Sequence, residues 1–247
     1  INKTAGATGA VTISNNIGAG AAGVTGALEI GNANTSTLTL AGTVYNANAA
    51  TYTAAAGGTG NNISLTNAAG VTFTSSNDAI TFGTSNILLG NGSDLVVNST
   101  GGDISVVAIT GTSVEDVTLN AAAGNVTVGV IGAADGQISD VVLTGTTINL
   151  GGNITTDDDA DAGDVDINGN VILTAAVTID TSDAGGAVDG TFNISGTVDG
   201  AFDLDIITDS AIAGIVGVIG GTTALATLDI NKTAGATGAV TISNNIG

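Results

Sequence analysis

Apolar and polar residues alternate along this chain in short bursts. Examples are Val11-Thr12-Ile13, Thr37-Leu38-Thr39-Leu40, Ile63-Ser64-Leu65-Thr66, Val71-Thr72-Phe73-Thr74, Val126-Thr127-Val128, Val165-Asp166-Ile167 and Phe202-Asp203-Leu204-Asp205-Ile206. Each run is three to five residues long, rich in β-branched side chains and mostly of period two. That period predicts β-strands with one face inward and Thr, Ser, Asn and Asp outward. Gly, Asn and Asp punctuate almost every gap, where tight turns need conformations that β-branched residues resist. No stretch keeps apolar residues at three-and-four spacing long enough to predict a helix.

A degenerate unit recurs among the strands. The pattern Ile/Leu-x-Gly-Asn/Thr-Val/Ile occurs at Leu40–Val44, Leu150–Ile154, Ile167–Val171 and Ile194–Val198 and reads as a repeated corner. Around two of these the likeness extends, with Asp161-Ala162-Gly163 paralleled by Asp183-Ala184-Gly185. A unit of roughly 20–27 residues with two or three short strands is the mark of one solenoid coil. Coils stack at the strand spacing of about 4.8 Å. The absence of proline fits, because proline would remove a ladder donor from a strand with neighbours on both sides. The predicted fold class is all-β: a parallel β-helix, or β-solenoid. Tandem immunoglobulin-like sandwiches are the competing architecture, but nothing repeats near their length of about 100 residues.

Something does repeat at longer range. Ile1–Gly18, INKTAGATGAVTISNNIG, returns letter for letter as Ile230–Gly247, an offset of 229 residues. The expected organisation is one full solenoid repeat over residues 1–229 and the start of the next identical repeat over 230–247, continuous with the first. With about 25 residues per coil such a repeat holds about nine coils and advances roughly 43 Å. Leu228-Asp229-Ile230 runs into the second copy without a linker, so that copy is expected to stack on the coil before it. The chain opens on Ile1 with no leader or anchor, which a slice of a longer array would leave outside itself.

In Val218–Leu228, VIGGTTALATL, and in the recurrent G-x-V-T-[IV] strands at Gly9–Ile13, Gly124–Val128 and Gly238–Ile242, the chain resembles a known class. These are the large bacterial surface proteins built of β-strand repeats, namely filamentous-haemagglutinin-like adhesins and autotransporter-like passengers. The resemblance implies a right-handed parallel β-helix displayed outside the cell as a stalk, filament or adhesin.

Composition narrows the function. Formal charge is −20, with 22 acidic residues against two lysines and no arginine, which excludes phosphate-neutralising nucleic-acid binding. No run of about 18 apolar residues predicts a membrane helix. There is no Cys or His, so thiolate sites and most nucleophilic and acid–base constellations cannot be built. Carboxylate pairs of the glycosidase kind remain, but a sugar site wants aromatic platforms. The six aromatics, Tyr45, Tyr52, Phe73, Phe82, Phe192 and Phe202, read as scattered. No enzyme activity is expected.

One polar cluster stands out: Asp157, Asp158, Asp159, Asp161, Asp164 and Asp166. Hard oxygens at alternate positions suit Ca²⁺. The candidate ligands are Asp157, Asp159, Asp161, Asp164 and Asp166, set against a solvated acidic loop. Gly163 falls one place late for an EF-hand and no Glu closes the loop. No other cofactor is expected. A second acidic group, Asp199, Asp203, Asp205 and Asp209, is a lesser cation candidate, and in it Asp203 and Asp205 read as outward residues that keep their strand soluble. Asn-x-Ser/Thr sequons, such as those at Asn91, Asn153 and Asn231, offer acceptors should the source glycosylate. Thr-x-Thr pairs such as Thr37/Thr39 do not recur at coil spacing and read as ordinary outward threonines.

The expected function is therefore a structural repeat of an extracellular fibre, stalk or filament on a microbial cell surface. Its partners are further copies of the same repeat, in the same chain or in stacked subunits. The alternative is an adhesin repeat whose surface binds glycan or another cell.

Overall fold

The computed structural model describes residues 1, 8–18, 23–54, 62–132, 138–156, 163–182, 189–209, 211–231 and 237–247. Among them are 22 strands and no helix, so no helix is long and apolar enough to cross a membrane. The strands form one continuous sheet in which every pairing is parallel, wound as a β-solenoid. The fold expectation is met.

Each coil crosses three faces. The first face carries an interior column of Val11, Leu38, Ile63, Ile87, Ile109, Ile131, Ile154, Ile179, Ile206 and Ile230, linked rung to rung by strand pairing. The second carries Ile17, Tyr45, Phe73, Val97, Leu119, Leu143, Ile167, Ile194, Ile215 and Ile242. The third carries Leu28, Ala50, Ile80, Ile104, Val126, Ile148, Val171, Val198, Ile219 and Ile246. From Leu38 to Ile206 every first-face rung is 0–1% exposed. A single coil has no second layer of its own, so its inward side chains are covered only because the coils above and below bring theirs into contact.

Corners are made where the chain has glycine. A Cβ on Gly169, Gly196 or Gly217 would run into the carbonyl oxygen of the glycine one coil below, Gly145, Gly169 or Gly196 respectively. Only a residue without Cβ lets the backbones stack so closely there. The Gly-Asn/Thr motif predicted to mark a corner does so, and it marks all three. Leu40–Val44 turns from the first face to the second. Ile167–Val171 and Ile194–Val198 turn from the second to the third. Leu150–Ile154 turns from the third to the first.

The aromatics depart from the sequence reading. Four of the six are not scattered. Tyr45, Tyr52, Phe73 and Phe82 pack together inside two successive coils. Tyr45 stacks on Phe73 at 5.2 Å between centroids and Tyr52 stacks on Phe82 at 5.4 Å. Phe73 meets both Tyr52 and Phe82 edge-on, at 4.9 and 5.0 Å. Coil winding brings together residues far apart in the chain, which linear spacing hides. All four are buried, so they form core and present no platform to a sugar.

Candidate functional site

The most organised polar feature is a seam along the edge where the second face begins. Asp94, Asp116, Asp140 and Asp164 each stand directly before an inward apolar residue, Leu95, Val117, Val141 and Val165. Strand pairing sets those four apolar residues one above another, and the aspartates follow. Each carboxylate reaches one coil onward. Asp116 N–H donates to Asp94 Oδ1 at 3.0 Å, Asp140 N–H to Asp116 Oδ1 at 3.2 Å and Asp164 N–H to Asp140 Oδ1 at 2.9 Å. The last carboxylate accepts from both Thr191 N–H, at 2.7 Å, and Thr191 Oγ1, at 2.9 Å. Successive carboxylates lie about one strand spacing apart, near 4.8 Å. In water such neighbours repel by under ~1 kcal/mol, which a charge-assisted hydrogen bond can offset.

Amide side chains do the same at other corners. Asn16 Oδ1 accepts from Thr43 N–H at 2.7 Å, Asn153 Oδ1 from Thr178 N–H at 2.9 Å and Asn170 Oδ1 from Thr197 N–H at 3.1 Å. Between strands the ladder of backbone bonds pauses, and these side chains satisfy N–H groups that would otherwise lack a partner. Two of the sequon residues besides Asn153 also bond to a neighbouring coil. Asn91 Nδ2 donates to Thr66 O at 3.3 Å, and Asn231 Oδ1 accepts from Thr208 N–H at 2.7 Å.

Glu115 is a different case, because it is 0% exposed. Its Oε2 accepts from the N–H groups of Thr112 and Ser113, both at 2.9 Å. Its Oε1 accepts from Thr112 Oγ1 and Ser113 Oγ, both at 3.1 Å, and from Gly92 N–H of the coil before, at 3.2 Å. Gly92 has φ 67°, the left-handed conformation that glycine adopts without strain. Five donors thus converge on one carboxylate, which fixes the turn before its strand and ties it to the neighbouring coil. A saturated acceptor of this kind organises backbone; it has no lone pair aimed at a ligand.

Of the predicted Ca²⁺ ligands, Asp157, Asp159 and Asp161 lie outside the described residues, as does Asp158. Asp164 belongs to the seam. Asp166 points outward from the following strand, between Val142 and Asn193 of the adjacent coils. Among the described residues no three acidic side chains are grouped to hold a metal ion. In the second acidic group, Asp199 Oδ1 accepts from the N–H groups of Thr222 and Thr223 at 2.7 and 3.0 Å. Asp203 Oδ1 accepts from Thr227 Oγ1 at 2.7 Å. Asp199 and Asp203 stitch coils together, a role that reading Asp203 as a solubilising residue missed. The sequence did carry a signal for the seam: an Asp before Leu or Val, at intervals of 22, 24 and 24 residues.

Two grooves lie near opposite ends of the stack. A polar groove of about 340 Å³ is lined by Ser14, Asn15, Asn16, Ala41, Gly42, Thr43 and Asn67. At the other end a smaller groove of about 150 Å³ lies between Ile219, Leu225, Leu228 and Ile246. There Ile212, Val216, Val240 and Ile246 are 44–61% exposed. The second copy of the duplicated stretch continues the solenoid at this end. Val240–Ile242 pairs in parallel with Ala213–Ile215, and Ile246 bridges to Ile219.

Comparison of the chain with protein-family models, curated proteins and solved structures gives no match.

Proposed function

We propose that this chain is a structural repeat of an extracellular fibre, stalk or filament on a microbial cell surface, lengthened by end-to-end stacking of solenoid coils. One observation carries the reading. The residues that begin the sequence again at Ile230 are laid down as further rungs on the same columns. In an array, the coil that follows covers the apolar residues left open there, as every interior coil covers its neighbour. The partner is therefore another copy of the repeat. The charge of −20 supports exposure to solvent along the whole length and repulsion between fibres side by side. Residues 1–229 are then one unit, and 230–247 belong to the next.

The test is antibody labelling of intact, unpermeabilised source cells and of material sheared from them. Labelled filaments in both support the reading. Label that appears only after permeabilisation, on particles without filament form, contradicts it.

A further inference from the structure

The two copies of the duplicated stretch do not occupy equivalent places. In the first copy, the strand Gly9–Ile13 lies on the first face, with Val11 beside Leu38. In the second copy, the same letters put Val240 beside Ala213 on the second face. The residues that follow keep the shift. Ile17 bridges to Tyr45 on the second face, whereas its counterpart Ile246 bridges to Ile219 on the third. The residues that precede keep it too. Ile1 O accepts from Gly31 N–H as Ile30 O accepts from Thr53 N–H, on the third face. Its counterpart Ile230 pairs with Ile206 on the first. Three separate markers thus move by one face, in the same direction along the winding.

We infer that the 229-residue repeat spans nine and one third turns, so that each repeat enters the stack one face round from the repeat before it. The inference rests on the fibre reading only for its consequence; the shift itself lies within one chain. The corners explain why such a shift is tolerated. One Gly-Asn/Thr motif already turns all three edges, and apart from Tyr45 and Phe73 in the second the three interior columns are aliphatic, so a strand that serves on one face fits the next. The surface a repeat offers its successor is thus a coil rotated by about a third of a turn, and the partner that fits it is a second copy entering in that phase. Phase is regained after three repeats. The aspartate seam then visits each edge in turn, and any curvature arising from unequal faces is averaged over the three.

Cysteine pairs test the shift in the full chain, which has no cysteine of its own. Adjacent rungs of parallel strands lie within disulfide reach. Thr12 neighbours Thr39, and Thr241 neighbours Gly214. A Cβ at Gly214 meets nothing closer than 3.6 Å. If both copies shared a face, Thr12 would instead adjoin Val44, which stands in the column of Thr241. The expected result is that T12C/T39C and G214C/T241C oxidise in buffer and not in urea, while T12C/V44C stays reduced. Closure of T12C/V44C in place of T12C/T39C overturns the shift, and so does a G214C/T241C pair that stays open in a folded chain. A second measurement needs no substitution: electron-microscopic reconstruction of stacked copies. A rotation near one third of a turn per repeat supports the inference, after allowance for the stack's own twist. A rotation near zero at the same rise overturns it and leaves the fibre reading standing. Chains that never stack count against the fibre reading, and the cysteine pairs still decide the shift.

Discussion

Between residues 45 and 82 the interior holds four rings, whereas from Leu95 to Ile179 the three stacked columns are aliphatic throughout. The aliphatic stretch is close to periodic: isoleucine follows isoleucine up the first face, and the aspartate seam runs beside it. Glu115 aside, its columns do not distinguish one coil from the next, so sliding by one coil would leave apolar side chains on apolar side chains. Such uniformity suits stacking and specifies register weakly. The aromatic stretch has the opposite character. Tyr45, Tyr52, Phe73 and Phe82 fill one volume in one arrangement, and a slip would set a ring on a rung shaped for valine. The comparison suggests a division of labour, in which rings fix register near one end and the ladders extend it. The polar seams do for the uniform coils what the rings do elsewhere, since each carboxylate must meet a particular N–H.

Removing a ring is the largest expected perturbation. Phe73→Ala should cost about 3–5 kcal/mol. Val97→Ala, at the next rung of the same column, should cost about 2 kcal/mol. Urea denaturation of both variants measures the gap, and equal losses would break the distinction between the regions. Next comes Glu115→Ala, which strips five donors of their acceptor and should cost about 3–4 kcal/mol. Glu115→Gln should recover little, because its NH₂ group would face N–H donors. A Gln variant as stable as the parent would show that the carboxylate does not organise the turn.

Tyr52 gives a smaller effect of opposite sign. Its hydroxyl is buried and has no partner among the described residues. Burial, with a lesser contribution from Tyr45, holds its pKa well above the ordinary 10.0. Below pH 10 both folded and unfolded chains keep the phenol protonated. Above it the unfolded chain releases its proton while the folded chain holds on, so stability falls as pH rises from about 10 toward the raised value. Tyr52→Phe should therefore raise stability at neutral pH by about 1 kcal/mol and flatten the alkaline decline. Melting curves at pH 8 and above 10 would show it; an unchanged alkaline slope would contradict the burial of that hydroxyl. The smallest effect belongs to the seam. Asp140→Asn keeps an acceptor and removes one repulsion on either side. It should change stability by under ~1 kcal/mol, favourably at low salt and less so at high salt. A large loss at both salt concentrations would mean that the negative charge itself is required.

Much of the architecture was legible because coils repeat locally. The Gly-Asn/Thr corners gave the coil length, and the alternating runs gave the inward positions such as Leu38, Leu40, Ile63 and Leu65. Neighbours across coils were harder to read, because coil length varies. Tyr45 and Phe73 stack 28 residues apart, while Phe192 and Ala213 pair at 21. Without the register, four aromatics in one plug look dispersed. Glu115 was invisible for a related reason: Thr112 and Ser113 are near in sequence, but Gly92 comes from another coil. The acidic cluster that looked most like a metal site falls mainly on residues outside those described. Its described member in the seam, Asp164, spends Oδ1 on Thr191.

The central claim is a continuous stack in which one repeat adds nine and one third rungs to columns already begun. Its most direct test is the axial length of chains carrying one, two and three consecutive repeats, imaged as single particles. Each added repeat should lengthen a straight, unjointed rod by about 45 Å, the product of rung number and strand spacing. Beads joined by bends, or an increment far from that length, would contradict the account.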